Sequence, residues 1–248
     1  MSSIDLSGLS FQNAATNITV DATTLSGALF NTAQAVTVKG SATIDTITGT
    51  ANADTISGEG GADIISGGAG ADSIDGGAGG DTITGGAGAD NITTGAGADT
   101  VSVAAGDASA GVNATTASTA GFDTVTDFTV GTVASGGDQI DDAGGVCTIA
   151  ANAATTAVAG TASILNGLAS FHADDDTLAE QIIAAEAAMA NAAAREAVMF
   201  QSGSDAYVLI SAADGLSAND SLIKLTGIDT TATTSDVLTL DTGNLIIT

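Results

Sequence analysis

A nine-residue repeat in the middle of the chain limits the possible folds more than any other feature. Aspartate recurs at every ninth position seven times, and an apolar residue follows each aspartate two positions later. The aspartates are Asp45, Asp54, Asp63, Asp72, Asp81, Asp90 and Asp99, and the apolar residues are Ile47, Ile56, Ile65, Ile74, Ile83, Ile92 and Val101. A repeat this short predicts a solenoid in which each unit stacks only on its neighbours.

Each nonapeptide has the pattern of a six-residue turn followed by a three-residue strand. The sequence of residues 67–75, for example, is GGAGADSID. Its glycines permit positive φ in the turn and let backbone carbonyls converge. A three-residue strand buries one side chain and is stable only in a stack. We expect two nonapeptides to form one coil, so that every second turn lies over the one before it on the same edge.

This stacking places the aspartates of alternate repeats on the same edge of the solenoid, where their charges repel. A hard cation bound by the carboxylates and by turn carbonyls removes the repulsion, and a flexible set of oxygen ligands suits Ca²⁺ better than Mg²⁺. The alternative is that the aspartates only cap polar turns. That alternative does not explain why the glycines and the aspartates keep the same phase.

The nonapeptide resembles the RTX (repeats-in-toxin) calcium-binding motif, G-G-x-G-x-D-x-U-x, in which U is a large apolar residue. The resemblance implies an all-β fold, a parallel β-roll or β-solenoid with several Ca²⁺ ions in its turns. Each ion lies between turns one coil apart. Backbone carbonyls at positions 2 and 4 and the Asp of one turn face positions 1 and 3 and the Asp of the next.

Carried over residue by residue, the resemblance implies five ion sites. The central site uses Gly68, Gly70 and Asp72 with Gly85, Ala87 and Asp90. Its neighbours use Gly77, Gly79 and Asp81 with Thr94, Ala96 and Asp99, and Glu59, Gly61 and Asp63 with Gly76, Ala78 and Asp81. The two outer sites use Thr50, Asn52 and Asp54 with Gly67, Ala69 and Asp72, and Ser41, Thr43 and Asp45 with Gly58, Gly60 and Asp63. Departures from the motif, expected to weaken the sites around the central one, fall at Ser41, Thr43, Thr50, Glu59 and Thr94.

The apolar position of the repeat can be traced towards the amino terminus in steps of nine, through Val38, Leu29, Val20 and Phe11. The corresponding Asp positions hold apolar residues or glycine, which offer no ligand. We therefore expect residues 1–40 to form calcium-free rungs of the same solenoid, followed by the calcium-binding roll in residues 41–102. An unrelated set of strands with coincidental spacing is the alternative.

Residues 103–248 are expected to form a β-rich cap that contains one helix. Thr177 and Glu180 have the spacing of a capping box, and the helical pattern predicts a helix over residues 177–200. Four strand-like runs follow, at residues 207–210, 222–225, 237–240 and 245–247. Five carboxylates before the helix indicate either one more calcium site or a solvated edge: Asp123, Asp127, Asp138, Asp141 and Asp142.

The tail, roughly residues 120–248, is similar to the carboxy-terminal region of RTX-type bacterial S-layer proteins. The similarity lies in FQSGSDAYV at residues 200–208 and LIKLTGI at residues 222–228. It implies export by a type I secretion system, addressed by the uncleaved carboxy-terminal residues, and an extracellular place at the bacterial cell surface. The lack of a visible amino-terminal signal and the apolar end of the chain agree with this interpretation.

The charge balance favours cations as partners. The chain has 29 acidic residues against 3 basic ones, for a formal net charge of −26. Such a surface repels phosphates and acidic lipids, so nucleic acid is excluded as a partner. No apolar run is long enough to cross a bilayer, and we therefore expect no membrane span.

An enzyme is not expected from this inventory of side chains. His172 is the only histidine, which excludes a His-Glu-x-x-His zinc motif, and no nucleophile motif surrounds it. Lys39, Arg195 and Lys224 are too scattered to bind a phosphate substrate. Cys147 cannot form a disulfide within one chain, and a small apolar residue in a strand is the favoured interpretation over a disulfide between chains.

Three functions remain open. The favoured one is a secreted structural protein that folds on calcium and self-assembles into an S-layer, sheet or filament. The second is the secretion-and-folding module of a larger adhesin, toxin or enzyme. The third is a calcium-binding matrix protein that bridges cell-surface polysaccharide. Met1 and the metal-free rungs favour a nearly complete unit, and the tail favours the first function.

Overall fold

The structure is a computed structural model and describes residues 2–5, 18–21, 35–104, 121–143, 147–149, 162–165, 168–189, 195–211, 220–228, 238–241 and 244–247. The first ten strands are β1 (Ser2–Asp5), β2 (Ile18–Asp21), β3 (Val36–Lys39), β4 (Asp45–Thr48), β5 (Thr55–Ser57), β6 (Ile64–Ala69), β7 (Ser73–Asp75), β8 (Thr82–Ala87), β9 (Asn91–Thr93) and β10 (Thr100–Val103). The next ten are β11 (Asp123–Val125), β12 (Gln139–Asp142), β13 (Cys147–Ile149), β14 (Ser163–Leu165), β15 (Leu168–Ser170), β16 (Arg195–Ser202), β17 (Asp205–Ser211), β18 (Ser221–Leu225), β19 (Leu238–Asp241) and β20 (Asn244–Ile247). The helix α1 spans Leu178–Ala188, and a 3-10 turn spans Val133–Ser135.

Successive strands of the repeat alternate between two parallel sheets. Odd-numbered strands β1 to β11 lie side by side in one sheet, and even-numbered strands β2 to β12 lie side by side in the other. Within a sheet, Ile56 opposes Ile74 and Ile65 opposes Ile83, so neighbouring strands are two nonapeptides apart in the chain. The predicted parallel β-roll with two nonapeptides per coil is therefore confirmed.

The apolar residue of each nonapeptide fills the space between the two sheets. All seven of these side chains, from Ile47 to Val101, are at most 2% exposed. The neighbouring strand residues point outward and are mostly Ser and Thr. Fully burying an isoleucine contributes about 1.5–3 kcal/mol, so the column of isoleucines is the main apolar support of the roll.

The strands before the repeat are parallel, as predicted, but their separation along the chain differs from the predicted one. Strand β1 pairs with β3 and strand β2 with β4. Val20 opposes Ile47, which lies three nonapeptide lengths later, although the traced phase predicted a separation of two. That prediction was wrong because this stretch has no Asp-containing glycine turn to set the length of a coil. Phe11 and Leu29 lie outside the described residues.

The roll continues beyond residue 102, where the repeat ends. Val125 of β11 opposes Ile92, and Ile140 of β12 opposes Val101. Val125 and Ile140 are both fully buried in the same core. Each follows an aspartate by two positions, as in the repeat, so two more rungs are built from chain outside it.

The carboxy-terminal strands extend both sheets. Strand β18 joins β11 in parallel, and β16, β17 and β18 form an antiparallel meander. Strand β20 pairs with β12, and β19 pairs with β20. The four predicted strand-like runs are thus confirmed as β17 to β20. Cys147 lies in strand β13, in agreement with its interpretation as a strand residue.

Helix α1 packs on a second apolar cluster beside the meander, which includes Ile182, Phe200 and Leu209. Its capping box is confirmed: the Thr177 side chain accepts from the Glu180 N–H, and the Glu180 carboxylate accepts from the Thr177 N–H. The helix is too short to cross a membrane, and it is the one α-helix among the described residues.

The predicted extent of the helix was wrong. Helix α1 ends at Ala188, and strand β16 begins at Arg195 instead of continuing the helix to residue 200. Val198 and Phe200 are completely buried and oppose Leu209 and Tyr207 of β17. Tertiary pairing in the sheet therefore overrides the helical spacing of the apolar residues.

Candidate calcium-binding turns

Glycine conformation allows the turns of the roll to stack closely. Gly68 and Gly70 have φ of 107° and 123°, in the left-handed region that other residues avoid. A Cβ at Gly79 would overlap the carbonyl oxygen of Gly61 in the preceding turn of the same edge. The carbonyls of successive turns therefore converge, as predicted. Glu59, with φ 72°, is the one residue other than glycine with positive φ in the described part of the chain.

Each repeat aspartate is tied to the aspartate one coil later. The backbone N–H of one donates to Oδ1 of the next, which orients each carboxylate. The bonds run from Asp45 to Asp63 (2.7 Å), Asp54 to Asp72 (2.7 Å), Asp63 to Asp81 (2.8 Å), Asp72 to Asp90 (2.8 Å) and Asp81 to Asp99 (2.8 Å). All these aspartates are at most 2% exposed. The two edge ladders predicted from the nine-residue spacing are therefore present.

The second carboxylate oxygen lacks a partner in four repeat turns, those of Asp63, Asp72, Asp81 and Asp99, which we call the inner turns. Oδ2 is buried and accepts no hydrogen bond in Asp63, Asp72, Asp81 and Asp99. This oxygen faces motif position 1 of its own turn, because a Cβ at Gly76 would lie 2.8 Å from Oδ2 of Asp81. Burying an ionised carboxylate without a partner is unfavourable. The inner turns therefore fit a cation.

The electrostatics of the turns point the same way. Burial raises the pKa of Asp63, Asp72 and Asp99 to about 7, although each accepts a backbone N–H that lowers it. Neighbouring carboxylates raise these pKa values further, and for Asp99 those neighbours include Asp138 and Asp127. The ionised form is thus disfavoured until a positive charge arrives.

The first two repeat turns, those of Asp45 and Asp54, are the outer turns and differ from the inner ones. The N–H of Ser41 donates to Oδ2 of Asp45 over 2.6 Å, and the N–H of Thr50 donates to Oδ2 of Asp54 over 2.5 Å. Their hydroxyls donate to the other oxygens of the same carboxylates. The chain thus satisfies the oxygens that stay unpartnered in the inner turns. This agrees with the expectation that the outer sites bind calcium less well.

The aspartate ladders extend beyond the repeat. The N–H of Asp90 donates to Oδ1 of Asp123, and the N–H of Asp99 donates to Oδ1 of Asp138, both over 3.0 Å. Asp123 and Asp138 are 3% and 0% exposed. The sequence alone indicated them only as members of an acidic group. The Asp-x-apolar pairs at residues 123–125 and 138–140 were the signal that places them in the ladders.

The predicted ligand set for an ion is two carboxylates plus turn carbonyls. No three His, Cys, Asp or Glu side chains form a metal cluster within the described residues. For the predicted central site, the sheet register places Gly68 against Gly86 and Ala69 against Ala87. The turns that carry its predicted carbonyls therefore face each other one coil apart. An all-oxygen set of this kind suits calcium.

The turns of the other four predicted sites are brought together in the same way. Gly60 forms a parallel bridge with Ala78, and Ala78 forms another with Ala96. Strand β4 pairs with β6, and β5 with β7, which aligns the remaining turns one coil apart. Which of these oxygens bind an ion stays a prediction.

Comparisons with known proteins identify the repeat. The family model for the RTX calcium-binding nonapeptide repeat, which spans four copies, matches residues 39–74 and again residues 75–108. These residues are just over a quarter of the chain. The match does not reach residues 120–248, so their similarity to S-layer proteins stays a prediction.

Two further comparisons add little. No curated protein matches the chain. Among solved structures, the AlgE6R3 subunit of the Azotobacter vinelandii mannuronan C5-epimerase aligns over 75% of this chain and 72% of that chain, at 22% identity and a TM-score of 0.23. A score this low supports no functional inference. The family match and the aspartate ladders together show that residues 39–108 are RTX calcium-binding nonapeptide repeats, of which residues 39–104 are described and fold as a parallel β-roll.

Proposed function

We propose that the chain is a secreted calcium-binding structural protein that folds when calcium binds and assembles with copies of itself into an S-layer, sheet or filament. The observation that carries the calcium-dependent step is the buried, unpartnered Oδ2 of the inner aspartates, such as Asp72 and Asp81. Export and assembly are the further steps of the proposal.

Folding on calcium follows from the cost of the ladders without it. Each inner turn buries a carboxylate against others of the same charge, and the cost grows with every rung. Ions that bind only the folded state stabilise it by mass action, so several sites add several kcal/mol. Extracellular calcium modules bind at about 10⁻⁴ to 10⁻³ M. The chain is therefore expected to fold outside the cell and not in the cytosol.

This calcium step is compatible with export. RTX repeats are typical of exported proteins. A type I secretion system threads an unfolded chain, and a roll that formed in the cytosol would block its own passage. We propose that the carboxylate ladders delay folding until the chain reaches the cell surface.

Assembly with copies of itself is supported by the distribution of charge. The chain carries a formal net charge of −26, and bare copies would repel one another. The outward strand faces, in contrast, present mostly hydroxyls, as at Thr46, Thr82 and Thr100. Neutralising the turn carboxylates would let such faces approach or contact a cell-surface polysaccharide.

The proposal includes no catalysis. His172 is 41% exposed in its side chain, and its Nδ1 lies 3.3 Å from the more exposed carboxylate of Asp174. A histidine paired with a solvated carboxylate in this way is an ordinary surface pair, and neither residue lies in the aspartate ladders.

Far-ultraviolet circular dichroism during a calcium titration tests the folding step, and electron microscopy of the same samples tests assembly. We expect a β signal and ordered sheets or filaments at millimolar calcium, and neither after chelation. Calcium-dependent folding with particles that stay monodisperse would favour the secretion-and-folding module of a larger protein. An unchanged β signal after chelation would contradict the proposal as a whole.

A further inference from the structure

The last turn of the repeat, residues 94–99, faces a turn that comes from outside the repeat. Asp138 ends this second turn and occupies the place of a repeat aspartate. Its Oδ1 accepts the N–H of Asp99 over 3.0 Å, and Gln139 then opposes Thr100 in the sheet. The same bond and register link every earlier pair of aspartates on this edge. The aspartate ladder therefore continues across this gap, although the second turn contains the 3-10 turn Val133–Ser135 in place of a repeat glycine turn.

Thr94 brings two further carboxylates to this gap. Its hydroxyl lies 3.0 Å from Oδ1 of Asp127 and 3.0 Å from Oδ2 of Asp138. A hydroxyl has one proton and can donate to only one of them at a time. Asp127 also accepts the N–H groups of Thr94 and Gly95, and Asp138 accepts that of Thr129. These bonds fix the carboxylates but leave their negative charges in place.

Asp99 adds a buried oxygen with no partner. The residue is 0% exposed, and its Oδ2 accepts no hydrogen bond. In the earlier turns this oxygen faces motif position 1, as Oδ2 of Asp81 faces Gly76. Thr94 occupies position 1 in the last turn. The N–H of Thr94 donates to Asp127, so it does not satisfy Oδ2 of Asp99 in the way that the N–H of Ser41 satisfies Oδ2 of Asp45.

Basic side chains do not supply the missing positive charge. The chain has three of them. Lys39 pairs with Glu59, and Lys224 lies 2.9 Å from Asp205. Arg195 begins strand β16, which is separated from β11 by β17 and β18 in the sheet.

We propose that this junction is a further divalent-cation site, held by the carboxylates of Asp99 and Asp138 together with turn oxygens. Asp127 is a positioning residue, because it holds the N–H groups of Thr94 and Gly95. The site rests on the calcium-binding function proposed above but uses a ligand from beyond the repeat. It would fasten the roll to the carboxy-terminal strands, since β12 pairs with β20 and β11 with β18.

Counting bound ions by equilibrium dialysis of the full chain against saturating calcium tests the site. Asp138→Asn keeps an oxygen acceptor for the Asp99 N–H and removes one charge, so we expect one ion fewer than in the wild type. Asp141→Asn is the matched control, because Asp141 lies on the same strand but points outward, and it should leave the count unchanged. Circular dichroism at saturating calcium checks that all three chains fold.

An ion count in Asp138→Asn equal to that of the wild type would overturn the site and show that Asp127 and Asp138 only form a hydrogen-bonded cap. If that variant does not fold, Asp127→Asn gives a second reading. It is expected to weaken the binding of one ion about tenfold, since the Asn amide can accept only one of the Thr94 and Gly95 N–H groups that the carboxylate holds. An unchanged binding curve would again overturn the site. Failure of the wild type to bind calcium would contradict the proposed function itself.

Discussion

The backbone N–H of Asp54 donates a 2.7 Å hydrogen bond to Oδ1 of Asp72, one coil further along the roll. The bond fixes the Asp72 carboxylate and leaves its Oδ2 buried without a donor. The same arrangement recurs along both edges, so the fold that positions the ligand oxygens also concentrates negative charge. Folding and calcium binding are therefore expected to be coupled.

The inner aspartates should matter more for calcium than the outermost ones. Asp72→Asn is expected to weaken calcium binding by at least about tenfold, or about 1.4 kcal/mol, because Asp72 belongs to two predicted sites and has an unpartnered oxygen. Asp45→Asn is the matched control and should change affinity much less, since Ser41 already donates to both Asp45 oxygens. Calcium titrations of the two variants provide the comparison. Equal losses would show that the assigned register of ligands is wrong.

Acid should stabilise the calcium-free roll. The folded pKa values of Asp63 and Asp72 are about 7, above the ordinary value of 3.8, so the folded state binds more protons between these limits. Their contribution to the free energy of unfolding is complete below about pH 4 and is lost as the pH rises through about 7. Calcium-free protein should therefore have a stronger far-ultraviolet β signal at pH 5 than at pH 8.

The trend should reverse in saturating calcium, because protons then compete with the metal for the same oxygens. Denaturation at the same two pH values checks this. A β signal of the calcium-free protein that grows between pH 5 and pH 8 would contradict the assigned burial of these carboxylates.

Two adjacent glycines should respond differently to alanine. Gly61 has φ 115°, and a Cβ there would overlap the backbone at Thr43 and Ile44, so Gly61→Ala should cost about 1–3 kcal/mol. The control, Gly60→Ala, adds a Cβ no nearer than 3.7 Å to Ala78 and should be neutral or slightly stabilising. Chemical denaturation in saturating calcium measures both. Similar stabilities of the two variants would argue against the close stacking of the turns.

Assembly should depend on calcium and not on a disulfide. Cys147→Ser is expected to leave calcium-induced assembly intact, because the neutralised carboxylates let like-charged copies approach within a Debye length of about 8 Å. Light scattering of the wild type and the variant, each with a chelator or a reducing agent, separates the two mechanisms. Dispersal by the reducing agent but not by the chelator would indicate a bond between chains through Cys147.

The repeat could be predicted from the sequence because each position of the nonapeptide that matters is filled by one residue type with one structural role. Ile65 and Ile83 fill the core, Gly68 supplies a left-handed turn, and Asp72 supplies the ladder, so spacing alone predicted the coil and its register. The donors that close the outer turns were not predicted. Hydrogen bonding by Ser41 depends on turn geometry that spacing does not reveal.

Outside the repeat, the pattern was ambiguous for physical reasons. The stretch ending at Phe200 has helical spacing, but its side chains are buried against β17, and that pairing is set by distant residues. Val20 opposes Ile47, three nonapeptide lengths later, and the sequence of residues 22–39 contains no aspartate that would set the length of a coil. Asp138 joins the ladder 39 residues after Asp99, a separation that a nine-residue period does not predict.

Hydrogen exchange followed by mass spectrometry, with and without calcium at pH 8, tests the central claim most directly. The coupling of folding to calcium predicts strong protection of the amides in residues 55–103 at about 1 mM calcium and rapid exchange of the same amides after chelation. Equal protection of these amides in both conditions would show that the roll forms without calcium and would contradict the account.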